Sequence, residues 1–219
     1  MITYEQLRRD ETIRTYIQRA DESLRVLGFT EHSFAHVTKV AETAAFLLGE
    51  LGYDENTVEI AKIAGYLHDI GNLVNRTDHS QSGAVMAFRI LDRMDMDPAD
   101  LATVVTAIGN HDEGTGVPVN SVSAALILAD KSDVRRSRVR NTDLSSFDIH
   151  DRVNYSVESS ELRLEKENGT VVLELRIDTA ISTVMDYFEI FLGRMLLCRR
   201  AAEKLGLRFR LRINGQELI

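Results

Sequence analysis

Residues 68–71 read His-Asp-Ile-Gly and close a segment, Val58–Leu67, that is apolar almost all the way round. That pattern suits a buried helix better than an amphipathic one, and Gly71 is a natural stop for it. A histidine and an aspartate side by side at the inner end of a buried helix cost several kcal/mol, in order of magnitude, to desolvate unless something pairs with both. A metal ion suits both at once. Of the remaining histidines, His36, His79 and His111 fall at the ends or inner faces of predicted helices, and Asp130 follows the apolar run Ala124–Ala129, where an unpaired carboxylate would be as awkward as Asp69. Facing helices of a bundle can bring such residues together in its interior. Nitrogen and oxygen donors in this mix suit iron, manganese, zinc, cobalt or nickel, whereas magnesium prefers oxygen alone.

Helices have to carry these groups, and the first two-thirds of the chain reads as helical. Tyr4–Leu27 carries Leu7, Ile13, Ile17, Leu24 and Leu27 among many charges, and His32–Leu51 carries a stripe from His36 through Val40, Ala44 and Leu48. A loop over Asn72–Asp78 leads to a helix from His79 to Met94. Asp97-Pro98 is a helix start, a capping carboxylate followed by proline in the first turn, and that helix ends near Gly109. Ser121–Val134 is a further apolar helix. From about Val157 the pattern becomes alternating: Leu162 and Leu164, then Asn168-Gly169, then Val171, Leu173, Leu175 and Ile177, which signals a β-hairpin. A long amphipathic helix over Ile181–Leu205 and a last alternating strand at Phe209, Leu211 and Ile213 complete a β-β-α-β unit. The reading is therefore mainly α, with a helical metal-binding domain over 1–140, a connecting segment over 141–156 and a small α+β subdomain over 157–219.

The 219 residues, 44% of them hydrophobic, are enough for an ordinary core. No apolar run approaches the ~20 residues needed to cross a bilayer. The start is polar at once, so no leader is expected, and the single cysteine, Cys198, fits a reducing cytoplasm. The net charge of −8 disfavours a duplex nucleic-acid binder but leaves room for a small anionic substrate, since a metal and a few arginines make a local positive site.

At these residues the chain resembles the HD superfamily of metal-dependent phosphohydrolases. That pattern is a histidine on an early helix, a His-Asp pair and a later aspartate, here His36, His68-Asp69 and Asp130. Two-metal members add two histidines in between, and His79 and His111 fill that interval. The resemblance covers about residues 30–140. It implies an HD-type helical bundle in which Asp69 bridges two divalent or trivalent transition-metal ions, iron or manganese foremost. His36, His68 and Asp130 would hold one ion, His79 and His111 the other, and a metal-activated hydroxide would attack phosphorus. Catalytic roles fall to His68, Asp69 and Lys131. The string from His111 to Pro118 resembles the cyclic-di-GMP phosphodiesterase branch, yet Asn72, Asn110 and Val117 depart from it. Ala129-Asp130-Lys131 and the six-ligand set resemble equally the branch that splits dinucleoside tetraphosphates.

The substrate is thus expected to be a small phosphorylated compound, a nucleotide first. Arg135 and Arg138, in the cluster Arg135–Arg140, are candidates to clamp its phosphates; the alternative is a solvated helix end. Lys131 meets a phosphate oxygen or pairs with Asp133. Asp112 and Glu113 either orient histidines or are ordinary loop acids. His32 is expected to be a helix-start residue without a partner, His150 a surface residue and Cys198 inert packing. Two other functions fit the same residues: a di-iron oxygenase, and a non-catalytic metal-bearing module. The β-β-α-β appendage is a candidate dimer interface.

Overall fold

The computed structural model describes residues 2–218 and is mainly helical with a small C-terminal sheet. The helices are α1 (Tyr4–Arg9), α2 (Glu11–Val26), α3 (Phe34–Glu50), α4 (Glu55–Leu67), α5 (His79–Arg93), α6 (Pro98–Gly109), α7 (Ser121–Ser132), α8 (Ile149–Ser156) and α9 (Val184–Lys204). The strands are β1 (Val157–Glu165), β2 (Thr170–Ile177), β3 (Arg208–Ile213) and β4 (Gln216–Glu217).

Side-chain caps fix where these helices begin. Asp54, Asp97 and Asn120 accept backbone N–H groups at the starts of α4, α6 and α7, filling donors that have no partner within the helix. The sequence predicts one helix over Tyr4–Leu27, but the structure has two. Asp10 takes an extended conformation, its N–H closes α1 on Gln6 and Leu7, and its carboxylate accepts from Ile13 N at 2.9 Å to start α2. The helix expected from His32 begins instead at Phe34.

Helix α4 lies at the centre of the bundle, as its all-round apolar sequence requires, packed against α3, α6 and α7. Gly65 permits this: a Cβ there would stand 2.6 Å from the Ala41 Cα on α3. Gly71 is closed in further, since a Cβ would meet the His79 carbonyl oxygen at 2.0 Å. The glycine of the His-Asp-Ile-Gly string thus lets the turn after α4 press on the start of α5.

The C-terminal sheet runs β1-β2-β3-β4, antiparallel except for the parallel β2–β3 pair that α9 connects. The hairpin at Asn168-Gly169 has a four-residue connection, with Gly169 left-handed at φ +58°. The buried face of the sheet and α9 share a core with Leu47 of α3 and Ala124, Ile127 and Leu128 of α7. The segment over 141–156, expected only as a connection, carries α8, which packs on α9. Among the described residues no helix is long and apolar enough to cross a membrane.

Candidate metal centre

His36 lies in the first turn of α3, His68 and Asp69 end α4, His79 begins α5, His111 follows the end of α6, and Asp130 sits in the last turn of α7. All four imidazoles are buried. Their Nδ1 atoms are engaged: His68 with Gly65 O at 2.8 Å, His111 with Ile108 O at 2.6 Å, His79 with Arg76 O at 3.1 Å and His36 with Asp133 Oδ2 at 2.8 Å. Carbonyl and carboxylate oxygens only accept, so each Nδ1 carries a proton and donates it. Each Nε2 is then the atom left to face the centre.

These atoms converge. His36 Nε2 lies 3.5 Å from Asp69 Oδ2 and 3.4 Å from Asp130 Oδ1, and His68 Nε2 lies 3.2 Å and 3.7 Å from the same two oxygens. The other carboxylate oxygen, Asp69 Oδ1, is 3.5 Å from His79 Nε2, which is itself 3.2 Å from His111 Nε2. Asp69 therefore faces two groups of side chains, one through each oxygen.

The donor set fits metal ions on the structure's own terms. Burial holds His79 below its ordinary value, and burial together with the charge of His68 holds His111 well below it, so both are neutral at pH 7. With their Nδ1 protons on carbonyls, they oppose two nitrogen lone pairs at 3.2 Å, an arrangement that repels unless a cation lies against both. His36 Nε2, His68 Nε2 and Asp69 Oδ2 are buried without a hydrogen-bond partner, a condition each would leave on ligating an ion. In the metal-free protein protons stand in for that charge. Burial alone would lower His68, but the negative charges of Asp69 and Asp130 beside its Nε2 raise it to about 10. Asp69 and Asp130 are held well below the usual carboxylate range; burial opposes this and the His68 and Lys131 charges prevail.

Around this centre the expectations separate. Lys131 pairs with Asp130 Oδ2 at 2.8 Å and Glu113 Oε2 at 2.6 Å, not with Asp133. Asp133 is fully buried among His36, Lys39 at 2.8 Å and Arg135 Nε at 3.0 Å. Neither of the arginines expected at the substrate is free. Arg135 is turned to Asp133 and Glu31 and does not line the cleft above the centre. Arg138 lines it but is buried, with Nε on Glu31 O and Nη1 on Asp133 O, so it is no solvated helix end. His32 is not partnerless: its Nδ1 donates to Thr30 O at 2.7 Å, its N–H donates to Asp21, and its ring packs edge-on to His36. Asp112 accepts from Gly114 N within its loop. His150 is exposed, at the rim of the cleft.

The cleft has a volume of about 410 Å³, within the range of small-molecule sites. Asp69, His79, Asp130 and Lys131 line it together with the basic Arg76 and Arg194, and Phe29 and Asp151 also belong to its lining. Sequence reasoning missed Asp133 as the partner of His36, and it missed Arg76 and Arg194. The one signal for Asp133 is its place three residues after Asp130; the two arginines carry none.

The chain is 25% identical over 211 residues to the uncharacterized protein MJ1020 of Methanocaldococcus jannaschii, covering 85% of this chain and 79% of that one. It is 35% identical over 127 residues to ribonuclease Y 1 of Pediococcus pentosaceus, covering 56% of this chain but only 22% of that protein. A crystal structure of a predicted HD superfamily hydrolase from an uncultured Thermotogales bacterium aligns over 62% of this chain and 75% of its own, at 25% identity and a TM-score of 0.43. The family model for the HD domain matches residues 33–152, more than half of the chain and the whole span of the six converging side chains, and the chain belongs to that family.

Proposed function

We propose that this protein hydrolyses a phosphoester or phosphoanhydride bond of a small phosphorylated substrate, a nucleotide first, at a centre of two transition-metal ions. One ion would be held by His36, His68, Asp69 Oδ2 and Asp130 Oδ1, the other by His79, His111 and Asp69 Oδ1. When bound, such ions supply a water acidic enough to act as a nucleophile near neutral pH, and they neutralise charge on phosphoryl oxygens. The protein supplies the rest. Buried Nδ1 donors fix the tautomers, Lys131 holds Asp130 Oδ2 and so turns Oδ1 to the centre, and basic side chains line the cleft.

The observation that carries this reading is the pair of facing, proton-free nitrogens of His79 and His111 beside the two-faced carboxylate of Asp69. Iron and manganese are the first candidates, with zinc, cobalt and nickel after them. Elemental analysis of the purified protein, followed by a panel of mononucleotides, cyclic dinucleotides and dinucleoside polyphosphates, tests it. Metal near two equivalents and release of phosphate or a shorter nucleotide are expected. Metal-loaded protein that releases nothing from any of them overturns the reading. A mixed-valence iron signal with dioxygen consumption would replace it with oxidation.

A further inference from the structure

Arg194 enters the cleft from α9, a helix that the sequence assigns to the C-terminal appendage. Its guanidinium lies 4.3 Å from the Phe191 ring centroid, and its Nε donates to Glu113 Oε1 at 2.9 Å. Among the described residues it makes no other side-chain hydrogen bond, so its terminal Nη donors are left to the cleft it lines. Glu113 reaches Lys131 with its second oxygen. That contact is close, 2.6 Å, yet Glu113 Oε2 is buried without a hydrogen bond of good geometry. One carboxylate therefore bridges two cations, and it fits one of them poorly. Once Asp130 serves a metal ion, Lys131 and Arg194 outnumber the single anion between them.

We propose that Arg194 and Lys131 form a binding site for a phosphoryl oxygen beside the metal centre, and that Glu113 fills it until a substrate phosphate takes its place. The proposal rests on the phosphohydrolase reading and extends it. A phosphate offers the same fork of oxygens to an arginine as a carboxylate does, with more charge and a third oxygen for the lysine. Arg138, whose Nε and Nη1 are taken by backbone carbonyls, is less free to do this. The C-terminal unit on this account supplies part of the substrate site.

The test uses the full-length, metal-loaded protein and its Arg194→Gln, Arg194→Lys and Glu113→Gln variants. Three quantities are read: metal content, inhibition or calorimetric binding by inorganic phosphate, and kcat and KM on p-nitrophenyl phosphate. Arg194→Gln should weaken phosphate binding and raise KM about tenfold with metal content unchanged. Arg194→Lys, which keeps the stem over Phe191 and the charge, should recover part of both. Glu113→Gln, which removes the competing anion, should tighten phosphate binding about threefold or more. Phosphate binding unchanged in a folded Arg194→Gln protein overturns the proposal, as does Glu113→Gln weakening phosphate as much as Arg194→Gln does. The phosphohydrolase reading fails separately: wild-type protein would then be inert on every phosphoester whatever Arg194 does to phosphate binding.

Discussion

Replacing Asp133 with asparagine should disable one half of the metal centre without touching a ligand. The Asp133 carboxylate is surrounded by donors: His36 Nδ1 at 2.8 Å and Arg138 Nη1 at 3.6 Å on Oδ2, and Lys39 Nζ at 2.8 Å and Arg135 Nε at 3.0 Å on Oδ1. An amide has only one oxygen to offer. Turned to Lys39 and Arg135, the two nearer of its three cations, it presents NH₂ to His36. The imidazole must then accept at Nδ1 and carry its proton on Nε2, the atom that faces Asp69 and Asp130. Losing an orienting partner of this kind costs about 10- to 100-fold in metal affinity, or about 1.4–2.7 kcal/mol. Loss of the charge should also destabilise the metal-free fold, by about 2–4 kcal/mol, discounted from the range of about 3–5 kcal/mol for a fully buried pair because Lys39 is 40% exposed. Competition against a chromophoric chelator under limiting metal separates the two effects, with urea unfolding of the metal-free protein alongside. One ion per chain should be retained at wild-type affinity, by His79 and His111, and the other weakened. If Asp133→Asn binds both ions as tightly as wild type, the tautomer argument is wrong.

Four further outcomes follow from the same geometry. Asp69→Ala should abolish activity and remove both ions while circular dichroism shows the helices in place; an active variant would remove Asp69 from the centre. Uptake of metal at pH 7 should release at least one proton, because His68, raised to about 10, is charged before an ion arrives; apparent affinity then rises about tenfold per pH unit toward that value, and calorimetry in buffers of different ionisation enthalpy would expose the absence of any release. The same raised value stabilises the metal-free fold fully below the ordinary histidine value of 6.5 and is lost as pH rises through about 10, so urea midpoints of the metal-free protein should fall over that interval and stay level if His68 is not charged. Arg138→Ala should lower stability by about 2–3 kcal/mol through its lost bonds to Glu31 O and Asp133 O, with KM nearly unchanged; a higher KM at wild-type stability would return Arg138 to the substrate.

What the sequence disclosed and what it withheld divide along the range of the forces involved. His68, Asp69 and Asp130 stood out because each interrupts or ends an apolar helix, a local conflict that residue types alone reveal. The hairpin and the capped start of α6 at Asp97-Pro98 are equally local. The break at Asp10 is local too but has no glycine or proline to mark it, and a charged stretch hides one more capping aspartate. Helix α8 is short, and its Ile149 and Val153 are too few to establish a period. Arg194 was illegible for another reason. On an amphipathic helix an arginine reads as solvated, and only the packing of α9 across α7 brings it to Glu113 and Lys131.

The positions of the four histidines in their helices explain why one of them needs outside help. The last turn of an α-helix leaves carbonyls without intrahelical donors. His68 and His111 stand where they can reach back three residues to such carbonyls, Gly65 O and Ile108 O. His79 finds the Arg76 carbonyl three residues before it, in the turn that leads into α5. Each of these rings has its tautomer set by the element that carries it. His36 is in the first turn of α3, where the unpaired backbone groups are N–H donors and no carbonyl is free for a ring proton. Its partner must come from another part of the chain, and Asp133, just beyond the helix that carries Asp130, is that partner. The half of the centre built on His36 is therefore the half that depends on how α3 and α7 are packed together, and the half built on His79 and His111 does not share that dependence.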